Sequence, residues 1–294
     1  MMDVEAKSAI EIVERLRKDS IEAEKRAMER KKISEQEELE QKKIAAERAK
    51  VVQLPLWPES ARGVPNSILR GSLFAAIQEK NAKTVRRMVL HNNENLKIVY
   101  TGRRLTQSDL DVWEYALHLA KQQNLGHQIY FTERSFLKGI DRKTSKYEYG
   151  WLKKVISDLS ATNVEIQHNG HVYGGSLVDE YFRDEHTGRY CITINPRIAR
   201  LYDAGHTYIN WEERRLLGKR KPLAQWLHGY ISSHKTWVPH KISTIKSYSG
   251  SETREERKFK QSLKDALTLL KGKHLIKDWT IDSENLVHIT LANS

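Results

Sequence analysis

The sequence of 294 residues has a single cysteine, Cys191, and only six prolines. One cysteine excludes an intrachain disulfide framework and any multi-cysteine zinc or iron–sulfur site. No apolar run approaches the roughly 18 residues of a membrane span, and the mean hydropathy is −0.66. The opening Met1-Met2-Asp3-Val4-Glu5 is acidic and lacks the apolar stretch of a signal peptide. A soluble, cytoplasmic protein without a membrane partner is expected. Catalytic motifs are also missing. Gly218-Lys219 and Gly272-Lys273 lack the upstream glycine and the following Ser/Thr of a nucleotide-binding loop. His168-Asn169-Gly170-His171 has the wrong spacing for the His-apolar-His metal pair of a rolling-circle nickase. Cys191 alternates within a strand and reads as a small buried residue. The acidic groups Asp109–Asp111 and Glu212-Glu213 fall near helix starts, where the helix dipole favours them. No enzyme, catalytic residue, metal site or cofactor is therefore expected.

What is present is positive charge, unevenly placed. Of 50 Lys+Arg and 38 Asp+Glu, residues 1–50 hold 13 of each, so the formal +12 lies entirely beyond residue 50. All seven Trp and all twelve Tyr lie there too. A basic body with interleaved aromatics points to a polyanion, most often nucleic acid. Charge kept for solubility alone is the alternative.

Residues 1–50 lack Pro and Gly and carry opposite charges at i,i+4 spacing, such as Glu14–Lys18 and Glu22–Arg26. They read as a charged helical or disordered arm. Ile10, Val13 and Leu16 begin an apolar seam that does not continue. Residues 51–95, with Pro55, Pro58, Gly63 and Pro65, read as a linker. The folded body is expected over 96–206 and 207–294. In the first half, strand 97–102 leads to a helix over 109–123, capped by Ser108 and striped by Leu110, Trp113, Ala116, Leu117 and Ala120. Strand 128–132, helix 133–139, helix 145–161 and β segments 164–168 and 190–194 follow, with a hairpin arm over 172–182. The second half gives helices 211–218 and 222–233, strand 237–240, helix 242–248, helix 252–271 and a hairpin of 275–281 with 286–291. Each half has the order of a helix-turn-helix followed by a β wing. The expected fold is α+β: two tandem winged-helix domains after a charged arm.

A helix that reads DNA buries one face and offers donors on the other. At 100° per residue, Phe259, Leu263, Ala266, Leu267 and Leu270 share one arc of the helix after Gly250. Arg254, Arg257, Lys258, Gln261 and Asp265 share the opposite arc. Arg and Gln suit base edges, whereas Lys258 and Lys264 suit phosphate. In the first half, Leu152, Val155, Ile156 and Leu159 form the buried stripe. Lys146, Gly150, Lys153 and Ser157 face outward, with Arg142 and Lys143 in the preceding turn. That surface suits phosphate gripping or self-association.

From Gln53 onward the chain resembles the TrfA-type plasmid replication initiators, relatives of the iteron-binding Rep proteins. The matching segments are Gln53-Leu54-Pro55-Leu56-Trp57-Pro58, Ile98-Val99-Tyr100-Thr101-Gly102 and Trp113-Glu114-Tyr115-Ala116. Leu159-Ser160-Ala161-Thr162, Ser232-Ser233-His234 and Leu286-Val287-His288 complete the set. The resemblance implies a non-enzymatic initiator that binds iteron repeats in double-stranded origin DNA and helps melt an AT-rich segment, with single-stranded DNA as a further partner. It also implies recruitment of the host initiator, replicative helicase and DNA polymerase sliding clamp, and a monomer–dimer equilibrium. The second recognition helix, with Arg254, Arg257, Lys258 and Gln261, would carry specific reading. Gln53, Leu54, Leu56 and Trp57 look like a clamp-docking QLxLF peptide with Trp57 in place of Phe, in an extended, accessible linker. A winged-helix repressor shares the DNA-binding features without clamp docking, and a metal-dependent nicking initiator is the enzymatic alternative.

Overall fold

The computed structural model divides the chain into units Met1–Val51 and Val52–Ser294. The structure describes residues 22, 25–40, 53–92, 96–168, 171–203 and 205–292. In the first unit residues 25–40 form helix α1, whose side chains are all exposed, with Arg26 paired to Glu22 at 3.2 Å. The remaining residues of the expected arm lie outside the described ones.

The second unit opens not with a linker but with structure. Strand β1 (Ala61–Pro65) is wholly buried, followed by α2 (Asn66–Arg70), β2 (Phe74–Ala75) and β3 (Thr84–Asn92). The linker expectation for 51–95 is thereby corrected. Pro65 ends β1, and the apolar residues Leu54, Trp57, Val64, Ile68, Leu69, Leu73 and Phe74 belong to the main core. Next come β4 (Leu96–Arg103), β5 (Leu105–Thr106) and α3 (Gln107–Ala120). Thr106, not the expected Ser108, caps α3, through a capping box with Asp109. All five apolar residues of the expected α3 stripe are buried.

Strand β6 (Gln128–Thr132), α4 (Glu133–Gly139) and α5 (Lys146–Ser160) match the sequence reading. Ser145 accepts the Glu148 amide hydrogen at the start of α5. The β region after α5 differs from expectation. Strands β7 (Asn163–His168) and β8 (His171–Gly175) extend β3 and β4 into a four-stranded antiparallel sheet, β3-β4-β7-β8. Strands β9 (Val178–Asp184) and β10 (Arg189–Ile194) join β6 in another sheet. The hairpin arm expected over 172–182 is therefore corrected: its residues divide between two sheets, in β8 and β9. Cys191, expected buried, is half-buried in β10, opposite Tyr130 and Phe182 on the outer face.

The chain continues through α6 (Arg200–Asp203), β11 (His206–Asn210), α7 (Trp211–Leu216) and α8 (Pro222–Ser232). Strand β11 pairs antiparallel with β1. Then follow β12 (His240–Lys241), α9 (Ile242–Tyr248), α10 (Glu256–Gly272), β13 (Ile276–Ile281) and β14 (Leu286–Leu291). Strand β12 is shorter than expected because Trp237 turns inward, its indole donating to the Val287 carbonyl at 2.9 Å. Helix α10 starts four residues later than the expected 252, which leaves Arg254 in the turn before it. Gly250 makes that turn, with φ at +63°, and packs so tightly on Ser72 and Ala75 that a Cβ would meet both.

Two sheets share one strand order. In β6-β10-β9 and β12-β14-β13, the strand before the helix pair meets the last strand, which is central. Each surrounds its own apolar cluster, one running from Leu54 to Trp211 and the other from Leu217 to Ile289 with Ala76. They meet at a polar junction. Arg214 of α7 is buried; its Nε donates to Asp111 of α3 at 2.6 Å, and its Nη2 to the Gln107 carbonyl and side-chain oxygens at 3.2 Å. Nearby, Glu114 is buried without a hydrogen bond to either carboxyl oxygen, 4.0 Å from Arg214.

Burial holds the Glu114 carboxyl up to about 7, against its usual 4.5, with Arg214 opposing. As pH rises above the usual value the unfolded chain loses this proton and the folded chain keeps it. Folding stability therefore falls until the folded group titrates too. Glu114→Gln removes this dependence. The gain in thermal midpoint of the variant over wild type is expected to grow between about pH 5 and about pH 8. Calorimetry giving the same difference at both values would refute the assignment.

Candidate nucleic-acid interface

Helix α10 is amphipathic in the sense the sequence predicts. Phe259, Leu263, Ala266, Leu267 and Leu270 are buried on the second apolar cluster. Arg254, Arg257, Lys258, Gln261 and Asp265 are exposed, and Lys264 is half-buried. Lys258 pairs with Glu255 at 2.5 Å, and the Gln261 amide donates to Asp265 at 2.8 Å. Lys246 of α9 donates to the Arg254 carbonyl at 3.2 Å, bracing the turn that presents Arg254. Lys260 donates to Asn285 at 2.6 Å and ties the helix to the β13–β14 turn. Among the described residues Arg257 and Lys264 have no ion pair, which leaves their donors available.

Helix α5 offers a weaker surface. Lys143, Lys146 and Tyr147 are exposed, and Gly150 stands open, with no atom near enough to meet an added Cβ. Lys153 is exposed but pairs with Glu185 at 2.7 Å. Arg142 is committed elsewhere. It pairs with Glu148 at 2.6 Å, and its guanidinium lies 3.3 Å from the centroid of the Trp151 ring, holding the α4–α5 turn. Arg142, offered by the sequence as a DNA contact, also braces this turn.

Between the two helices lies a basic seam that sequence reasoning missed. Loop 78–83 and loop 218–221 touch, the Gln78 amide donating to the Arg220 carbonyl at 3.5 Å. A 750 Å³ cleft there, bordered by α5, is lined by Lys80, Arg103, Lys154, Lys219 and Arg220. A second cleft, of 530 Å³, continues from Lys80 and Arg220 past Lys83 and Lys221 to Ser262 and Asp265 of α10. Burial, then the adjacent Arg142, pushes the Lys219 ammonium down, with Asp141, Glu148 and Asp111 opposing. The signal in the sequence was Gly218-Lys219-Arg220-Lys221, informative as a charge run where it failed as a nucleotide loop.

The Gln53–Trp57 peptide is not the accessible linker expected. Leu54 and Trp57 are each 4% exposed, whereas Leu56 is 74% exposed. The Trp57 ring lies against Gly63 of β1, where any Cβ would collide with it. Its indole donates to His118 Nδ1 at 3.1 Å, and Arg62 donates to the same nitrogen at 3.0 Å. With two donors converging, Nδ1 is the acceptor and Nε2 carries the proton, directed at Glu59 Oε2 2.7 Å away. Burial, then the neighbouring Arg62, keep this imidazole below its usual range. Lys121 and His118 together hold the Glu59 carboxyl down to about 2.

Among the described residues no helix is long and apolar enough to cross a membrane, and no group of three His, Cys, Asp or Glu is arranged to hold a metal. Of His168-Asn169-Gly170-His171, the central two lie outside the described residues.

The architecture is a mixed α/β one. It resembles domains 2 and 3 of RctB with a TM-score of 0.50 at 11% identity, over 78% of this chain and 99% of that one. A Pi initiator protein solved in complex with iteron DNA gives 0.47 at 11% identity, over 68% and 99%. The family model of the TrfA protein matches residues 16–290, so the chain belongs to the TrfA family. The plasmid replication initiator protein TrfA of Escherichia coli is 28% identical over 273 residues, 88% of this chain and 70% of that protein.

Because Trp57 is core, Trp57→Ala is expected to destabilise the fold by about 3–5 kcal/mol. Leu56→Ala should stay within about 0.5 kcal/mol of wild type. Urea titration of both variants checks this; an unaffected Trp57→Ala midpoint would contradict the packing described.

Proposed function

We propose that this protein is a plasmid replication initiator that binds iteron repeats in origin DNA through two tandem winged-helix modules. Family membership supports the initiator role. The observation that carries the DNA-binding mode is the repeated strand order, each copy bearing one outward helix, with a basic seam between α5 and α10. Arg254, Arg257 and Gln261 read base edges. Lys258, Lys264, Lys143, Lys146 and Lys153 grip phosphate, joined by Lys80, Lys219 and Arg220 of the seam. Arg142 acts only through the turn it braces. Opening of AT-rich DNA, recruitment of the host initiator and helicase, self-association and docking of Gln53–Trp57 on the polymerase sliding clamp complete the reading. No nucleotide or metal is required of this chain.

Arg257→Ala or Gln261→Ala should weaken specific binding by about 1–3 kcal/mol and relax base preference. Lys264→Ala, Lys219→Ala and Arg220→Ala should weaken binding to all sequences alike, each lowering the salt slope by about one unit. Fluorescence anisotropy on repeat and scrambled duplexes at several salt concentrations separates the two groups. If Arg257→Ala and Gln261→Ala both bound repeats as wild type does, the reading face would be wrong. Footprinting beside the protein's own gene distinguishes an initiator, which protects regularly spaced direct repeats, from a repressor on one palindrome. A nicked supercoiled origin in Mg²⁺ or Mn²⁺ would sink the non-enzymatic assignment.

A further inference from the structure

The peptide that resembles a clamp-docking motif is built into the fold by the residues it would use for docking. Leu54 and Trp57 are 4% exposed, whereas Gln53 and Leu56 are exposed. The same indole cannot fill a cleft on a partner while it covers Gly63, so stowage and docking exclude each other. The attachment is made almost wholly by side chains. Residues 53–58 belong to no helix or strand. Gln53 donates to Asn124 at 3.1 Å, the Trp57 indole to His118 at 3.1 Å, and Lys121 to the Trp57 carbonyl at 3.1 Å. The partners of Trp57 are pinned from outside by Glu59, whose side chain is 77% exposed and spans His118 at 2.7 Å and Lys121 at 2.5 Å. The segment is also the first of its unit, so its departure breaks no ladder and interrupts no later element. Segments of this kind are the ones that open locally, without global unfolding.

We propose that Gln53–Trp57 is a stowed docking segment. It is held against β1 and the C-terminal end of α3 by the Trp57–His118–Glu59–Lys121 chain, and it binds the sliding clamp only after Leu54 and Trp57 leave their seats. This rests on the clamp-docking reading above and adds its regulation. Apparent affinity then equals the intrinsic affinity scaled by the fraction released. Stowage makes the intact initiator a weaker clamp ligand than its own peptide. Whatever loosens the seat strengthens clamp binding.

The test is surface plasmon resonance on an immobilised bacterial sliding clamp, with four analytes. These are a synthetic peptide of residues 51–60, the intact protein, and its Gly63→Ala and Glu59→Ala variants. Gly63→Ala evicts the indole. Glu59→Ala removes an exposed carboxylate, and near-wild-type circular dichroism is expected of it even if Gly63→Ala fails to fold. The peptide should bind at least about tenfold more tightly than the intact protein, with the variants between them. Equal affinity of peptide, intact protein and Glu59→Ala would overturn stowage while leaving clamp docking intact. A peptide that does not bind would overturn the docking reading itself.

Discussion

A guanidinium that cannot shed its proton lies at the centre of this molecule. Arg214 is 2% exposed, and a charge so placed must be met by acceptors at fixed positions. They come from both sides: Asp111 and Gln107 from α3, and the Gln225 carbonyl, at 3.4 Å, from α8. An apolar contact between two domains permits sliding, whereas a planar fork with several acceptors fixes both angle and register. Removing the Asp111 carboxylate would leave Arg214 with neutral acceptors and with Glu114 at 4.0 Å. The spacing of the two outward helices, and with it the seam between them, therefore depends on one side chain of a six-residue helix.

The segment before α3 completes that joint. Gln107, which accepts from Arg214, donates through its amide to the Phe74 carbonyl at 2.6 Å. Arg104 reaches the Ser72 carbonyl at 3.3 Å, and the Trp226 indole reaches the Gly71 carbonyl at 3.1 Å. Residues 71–74 thus present backbone acceptors to both halves. This is why a proline-punctuated stretch is buried: its short elements leave carbonyls unpaired within themselves, and long side chains from either neighbour satisfy them.

These acceptors also explain what the sequence conveyed. Helices α4, α5 and α9 and the β13–β14 hairpin were legible because their apolar periodicity, caps and turn glycines are local signals. The outward arc of α10 was legible for the same reason. Residues 53–92 were not, since partners such as Phe74 with Gln107, or Trp57 with His118, are tens of residues apart and a proline count carries no trace of them. The division of the arm after α5 was hidden likewise. Strand β7 pairs on one side with the adjacent β8 and on the other with β4, some sixty residues upstream, which draws the start of the arm into a sheet of its own. The bracing role of Arg142 was hidden because partners cannot be read from charge: beside a glutamate and a tryptophan it has two local partners before any nucleic acid arrives.

The carboxylates among the candidate contacts carry a last consequence. Glu255, Asp265 and Glu185 already occupy Lys258, Gln261 and Lys153, and Glu252 and Glu256 add charge of the same sign at the start of α10. Exposed ion pairs are worth little, so these partners exchange for phosphate or base edges at small cost when the geometry is right. Against an arbitrary duplex the same carboxylates repel the backbone, and the cations they hold are not released for nothing. Interleaved acids of this kind lower non-specific affinity more than specific affinity, and the ratio of the two determines occupancy of a few sites in a large excess of other DNA. In the proposed binding mode, Lys264 on α10 and Lys80, Lys219 and Arg220 along the seam then supply the general attraction. Discrimination in that mode falls to Arg254, Arg257 and Gln261, of which Gln261 gives up Asp265 to take a base edge.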